Sequence, residues 1–124
     1  METSDRKVVL ATPLAPNINH QGTAFGGSIQ SAALLGCWSL GNTFLDKRGV
    51  RGSVIVADCQ ISFVRPIKGE WTSEATWKTD TDLDLIYRDL ITNKKARAQV
   101  QCTSFWEGEI CAQLSGKFVF RLKS

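Results

Sequence analysis

The sequence predicts a single α+β domain in which an antiparallel sheet of about five strands wraps one long buried helix, accompanied by a second, short amphipathic helix. Three observations carry this. Residues 24–45 are apolar nearly all round and hold no Asp or Glu, the pattern of a helix covered on most sides. Much of the remainder falls into runs rich in Val, Ile, Phe, Trp and Thr bounded by Gly, Pro and Asn, the composition of strands and their turns. One further stretch, with Leu83, Ile86, Tyr87, Leu90 and Ile91 at helical spacing, breaks that alternation.

In chain order, the polar residues 1–7 are expected to fray, and Val8, Val9 and Leu10 lead as a short strand toward Pro13 and Pro16. The turn formers Asn17, Asn19 and Gly22 end at Thr23, whose hydroxyl is suited to cap the long helix by accepting from an early backbone N–H. Inside that helix Gly26, Gly27, Gly36 and Gly41 each cost up to about 1 kcal/mol relative to alanine, so a sheet pressed close against it has to offset them. Gly49 and Gly52 mark the exit turn. Residues 53–65 read as a long strand. Strict alternation puts Ile55, Ala57, Cys59, Ile61 and Phe63 on one face and Val54, Val56, Asp58, Gln60 and Ser62 on the other. Pro66 ends it, and residues 70–78, with Trp71, Ala75 and Trp77, form the next strand. Thr81 and Asp82 are capping candidates for the short helix, which runs to Asn93. Strands over residues 96–106 and 110–122 flank Glu107-Gly108-Glu109, a hairpin turn.

Bulk properties narrow the function classes. With 124 residues the chain supports one core and no second domain. Its fifteen Lys and Arg are scattered among twelve carboxylates, for a net charge of +3, so nucleic acid is not an expected partner. The one dense basic group, Lys94, Lys95 and Arg97, reads either as a solvated connection or as a contact for a ligand's phosphates. Gln30, Ser31, Ser39 and Asn42 interrupt the apolar helix, which argues against a membrane span. The four cysteines lie far apart with no Cys-x-x-Cys pair, and one histidine cannot complete a metal site with them. No signal peptide opens the chain and each cysteine sits in an apolar run, so the expectation is a cytoplasmic protein with reduced core thiols.

The most specialised segment is Asn17-x-Asn19-His20-x-Gly22-Thr23-x-Phe25-Gly26-Gly27-Ser28, which sets polar side chains and small residues at the mouth of the long helix. A helix start carries unpaired N–H groups and partial positive charge, so it can receive a carbonyl oxygen that turns negative. A helix terminus alone contributes about 0.3 to 2 kcal/mol, whereas one well-aimed donor contributes about 3 to 4; aim matters more than dipole. Gly26 and Gly27 let a ligand approach the backbone.

The run PLAPNINHQGTAFGGS, the strand IVADCQISFVRPIKGE and the ending GKFVF resemble the thioesterase-like hotdog domain that also occurs fused behind acetyltransferase domains, over nearly the whole chain. This resemblance implies a hotdog fold, a homodimer or dimer of dimers, and sites where subunits meet for a small-molecule acyl thioester. Coenzyme A or an acyl carrier protein would enter as part of the substrate, with no separate cofactor. In the phenylacetate-pathway branch of such thioesterases the loop reads Asn, two residues, Gly, two residues, His-Gly-Gly, with a helical Asp nine positions after the His. The present chain matches at Asn19, Gly22, Gly26 and Gly27 but has Phe25 and Leu34 at the two acid-base positions. The dehydratase branch does not fit either, since it needs a helical acid between residues 24 and 45.

If thioesters are hydrolysed, activation of water therefore falls to His20 or to Asp58, which interrupts an apolar strand and there needs donors or a proton. Asn19 offers donor and acceptor without charge for orienting water or carbonyl, and Ser28 is a further donor. Trp38, Trp71 and Phe63 are candidate walls for the acyl chain, or plain core. Three readings stand: acyl-thioester hydrolase, acyl-CoA-binding module without turnover, or a purely structural dimerisation domain.

Overall fold

Eight elements follow one another: β1 (Glu2–Thr3), β2 (Lys7–Thr12), α1 (Gly26–Lys47), β3 (Gly52–Phe63), β4 (Trp71–Trp77), α2 (Leu83–Asn93), β5 (Lys95–Trp106) and β6 (Glu109–Leu122). They are seen in a computed structural model that describes residues 2–14, 19, 22–24 and 26–123. The strands form one antiparallel sheet in the order β1-β2-β4-β5-β6-β3. Five are the expected ones; the sixth is the two-residue β1, paired with Val8 and Val9. The segment expected to fray is thus held. The Ser4 hydroxyl accepts from the N–H groups of Arg6 and Lys7, and the buried Trp77 indole donates to the Asp5 carbonyl at 2.6 Å.

α1 lays Ala33, Gly36, Cys37, Leu40, Phe44 and Leu45 against the sheet. The approach is close because glycine permits it: a Cβ on Gly41 would stand 3.0 Å from Val54 Cγ1 and 3.1 Å from Phe120 Cε1. The expectation of a helix covered on most sides needs correcting for the single chain, since Leu35 and Trp38 on its outward face are about half exposed, at 53% and 50%. α2 is amphipathic as its spacing requires, with Leu83, Ile86 and Leu90 buried. Its cap is Asp82, whose carboxylate accepts from the N–H groups of Asp84 and Leu85; Thr81 instead donates its hydroxyl to the Lys78 carbonyl. Arg48, just past α1, ties the two helices together. It pairs with Asp84 at 2.8 Å and lies over the rings of Phe44 and Tyr87.

Strict alternation along β3 fails at one residue. The register with β6 shifts between Val56 and Asp58, so Ala57 is an extra residue, a β-bulge that moves everything after it to the opposite face. Val54 and Val56 therefore oppose the buried Phe120 and Phe118, and Cys59 and Ile61 oppose Gly116 and Leu114, all on the core side. Asp58, Gln60 and Ser62 oppose Lys117, Ser115 and Gln113 on the outer, exposed side. Asp58 consequently meets solvent and does not interrupt an apolar surface. At the β5–β6 hairpin Glu107 and Gly108 both take positive φ, 52° and 77°, the two-residue turn that matches strand twist. All four cysteines are free thiols, three of them buried. No helix among the described residues is long and apolar enough to cross a membrane.

Candidate functional site

The loop before α1 is organised by two residues. The Asn19 side-chain carbonyl accepts from both the backbone N–H and the hydroxyl of Thr23, each at 3.1 Å, while the Asn19 N–H donates to the Thr23 carbonyl at 2.7 Å. Gly22 sits between them at φ 77°, the left-handed region that favours glycine. The Ala24 N–H then donates to the Ile67 carbonyl, pinning the loop to the segment after β3. Thr23 thus gives its hydroxyl proton to Asn19, and no bond from the helix to that hydroxyl is seen among the described residues; the helix begins at Gly26 and carries no acidic residue in its first turn. Its leading N–H groups stand without intrahelical partners.

Those groups border a crevice of about 370 Å³ lined by Ala24, Gly26, Ile29, Phe63, Val64, Arg65, Pro66 and Ile67. One wall is the helix start; the other is the end of β3 and the turn after it. The Phe63 ring stands where it would touch a Cβ on Gly26 at 3.4 Å, whereas a Cβ on Gly27 would meet nothing within 4 Å among the described residues. Gly27 is therefore an open stretch of backbone. Beneath lies a small apolar cluster of Ala24, Ile29, Ile67, Trp71, Cys111 and Ala112. Arg65 reaches Glu109 at 3.1 Å at the rim.

Of the residues singled out from sequence, Gly26 lines this crevice; Gly27 and the half-buried Ser28 follow it in the first turn of α1, and Asn19 and Thr23 are bonded to each other in the loop before it. His20 and Phe25 lie outside the described residues. Asp58 is apart within one chain: five positions before Phe63, roughly 17 Å along the strand, and on the opposite face. The basic trio is further off. Lys94 is the left-handed C-cap of α2, with φ 62°, Lys95 opposes Arg121 and Arg97 opposes Val119, at the sheet end remote from Phe63. Trp38 is on the outward face of α1 and Trp71 is core, while Phe63 does form a wall. Sequence reasoning missed Val64, Arg65, Pro66 and Ile67, because Pro66 signalled only that a strand stops. Leu34, at the position of the missing helical acid, packs against the core.

Cys37 offers no nucleophile. A hydrogen bond to Cys102, burial, and the neighbouring thiols of Cys102 and Cys59 push it far above the ordinary thiol range. Among the described residues no group of His, Cys, Asp and Glu is placed to hold a metal ion.

A long helix laid across an antiparallel sheet, with a glycine-rich start opening on a crevice at the end of an edge strand, defines a hotdog domain of the thioesterase kind. The chain belongs to the family described as Putative thioesterase (yiiD_Cterm), which it matches over residues 1–122. It is similar to a structure from Shewanella oneidensis described as a putative thioesterase, at 28% identity, covering 99% of this chain and 82% of that one with a TM-score of 0.85. It is also similar to a Pseudomonas aeruginosa protein of unknown function described as a probable thioesterase, at 26% identity, 95% and 78% coverage and a TM-score of 0.82. The phenylacetic acid degradation protein PaaI of Thermus thermophilus shares the fold at 22% identity, 94% and 85% coverage and a TM-score of 0.68.

Proposed function

We propose that this chain is a cytoplasmic acyl-thioester hydrolase, acting on an acyl-CoA in the crevice at the start of α1, with the site completed by a second copy. The observation that carries the reading is the open first turn of α1, glycine-lined and free of acidic residues, facing an apolar crevice. In the reaction the thioester carbonyl oxygen accepts hydrogen bonds from the N–H groups at Gly26 and Gly27. Water, giving up a proton to His20, adds to the carbonyl carbon, and the electron pair moves onto the oxygen facing the helix start. Collapse of that intermediate breaks the carbon–sulfur bond and releases the carboxylic acid and a thiolate, which takes up the proton. Asn19, fixed by Thr23, orients the water or the carbonyl. Ser28 is an auxiliary donor, and Phe63 with Ile29, Val64 and Ile67 walls the acyl chain, at about 0.8 kcal/mol per buried methylene.

The second copy is supported by β3, a sheet-edge strand whose Ile55, Val56 and Phe63, with Val64 just after it, are each roughly half exposed; an apolar edge of this length invites pairing. Antiparallel pairing of two such edges gives a homodimer, the unit of any dimer of dimers. It is also the route by which an Asp58 carboxylate would reach a crevice, that of the other copy.

The test is release of free thiol from a panel of acyl-CoAs, followed with a thiol reagent. Turnover above background is expected, lost in Gly27→Val, whose added Cβ would meet no described atom within 4 Å and whose branched side chain would stand over the first turn of α1, with folding checked by circular dichroism. No turnover by the native chain on any member would remove the enzyme claim. A binding module without turnover is the second reading, favoured by one observation: no Asp or Glu occupies α1 before Asp46.

A further inference from the structure

A second groove lies at the other end of the sheet, about 610 Å³ in volume, within the range of small-molecule sites. Its lining joins Leu85, Ile86 and Asp89 of α2 to Arg97 of β5 and Lys117 and Val119 of β6. We propose that this groove binds an adenosine 3′,5′-bisphosphate group, the nucleotide end of coenzyme A, with its phosphates on Arg97 and Lys117 and its purine against Leu85 and Val119.

Register supplies the cation pair. Arg97 opposes Val119 and Gln99 opposes Lys117, so the four side chains rise from one face of adjacent strands, and Arg97 and Lys117 are diagonal neighbours about 7–8 Å apart. That spacing admits a phosphate between them. The ion pairs among the described residues are Lys7–Glu74, Arg48–Asp84 and Arg65–Glu109, so both groove cations remain available for a ligand. Lys78 adds a third positive charge to the lining, against the two carboxylates of Asp82 and Asp89. The apolar part is equally specific in place: Leu85 is 49% exposed on a helix whose other leucines, Leu83 and Leu90, are buried.

Asp89, on the α2 wall, distinguishes between occupants. A fatty carboxylate would satisfy the cations but lay its chain beside this carboxylate, whereas an adenine presents an exocyclic amine to it. Of the basic trio seen in the sequence, only Arg97 lines the groove. Ala57, at the groove's edge, and Phe63, at the crevice, are six residues apart on β3, roughly 20 Å. A ligand with a long flexible arm therefore places its two ends in different parts of the chain or of a dimer. β5 and β6 are internal strands, so pairing at the β3 edge meets the groove only at its Ala57 side.

Naming coenzyme A as the source of the nucleotide rests on the thioester reading; nucleotide binding itself does not. Calorimetry with adenosine 3′,5′-bisphosphate on the full chain should show saturable binding, weakened about tenfold or more by Arg97→Ala and by Lys117→Ala, lost in Leu85→Asp and unchanged in Arg88→Ala, with folding checked by circular dichroism. Equal affinity in the native chain, Arg97→Ala and Lys117→Ala, absence of binding, or displacement of the nucleotide by decanoate would each overturn the proposal. A kinetic arm separates the two readings. Arg97→Ala should raise KM for an acyl-CoA and leave turnover of the same acyl group on N-acetylcysteamine untouched. If neither thioester is turned over while the nucleotide still binds and the variants still lose it, the groove stands and the hydrolase reading falls.

Discussion

The proposed function gives Asn19 two separable jobs, and two substitutions divide them. Its side-chain carbonyl holds the backbone N–H and the hydroxyl of Thr23, so Asn19→Ala removes two hydrogen bonds worth about 0.5–1.5 kcal/mol each. The expected loss is about 1–3 kcal/mol, which for a domain of this size lowers Tm by roughly 4–12 °C. Asn19→Asp keeps an acceptor in the same place, so its Tm should stay close to native. Chemistry should respond the opposite way. Taking a separation of about 5 Å from the developing oxyanion and an effective dielectric near 20, a carboxylate there opposes it by about 3 kcal/mol, or roughly two orders of magnitude in kcat. Thermal unfolding followed by circular dichroism and thiol release from an acyl-CoA read the two effects. An Asn19→Asp protein of native stability and undiminished kcat would refute the placement of Asn19 beside the reacting carbonyl, and an Asn19→Ala protein of native Tm would refute the loop geometry itself.

Three further outcomes follow from packing and surface. Gly36→Ala, whose new methyl would meet Ala75 Cβ at 3.4 Å and Cys102 Sγ at 3.7 Å, should gain part of the roughly 1 kcal/mol of helix propensity. Gly41→Ala, with contacts of 3.0 and 3.1 Å to Val54 and Phe120, should forfeit that gain to overpacking; chemical denaturation midpoints would rank the two. Arg48→Ala should cost about 1–2 kcal/mol through the lost ion pair and ring contacts, and a midpoint unmoved by this change would show that Arg48 does not join the helices in solution. Val56→Lys, at a half-exposed position of the edge strand β3, should convert the proposed dimer to monomer in sedimentation equilibrium, and a native-size particle would place the subunit contact elsewhere.

Periodicity alone determined most of the architecture of this chain. The charge-free run ending near Leu45, the spacing of Leu83, Ile86 and Leu90, and the Glu107-Gly108 turn each specify local structure through neighbouring residues, and the resulting elements are the ones observed. The helix start with Gly26 and Gly27 was legible for the same reason. Tertiary structure decided the rest. The bulge at Ala57 reverses the faces of β3 because one unpaired residue shifts a period of two, and no side chain announces it; it is what puts Asp58 in solvent. Thr23 gives its hydroxyl proton to Asn19 because the loop closes on itself, a contact set by backbone path. The crevice wall after Phe63 and the groove between α2 and β6 both join residues far apart in sequence, and juxtapositions of that kind exist only once the sheet has curled round the helix.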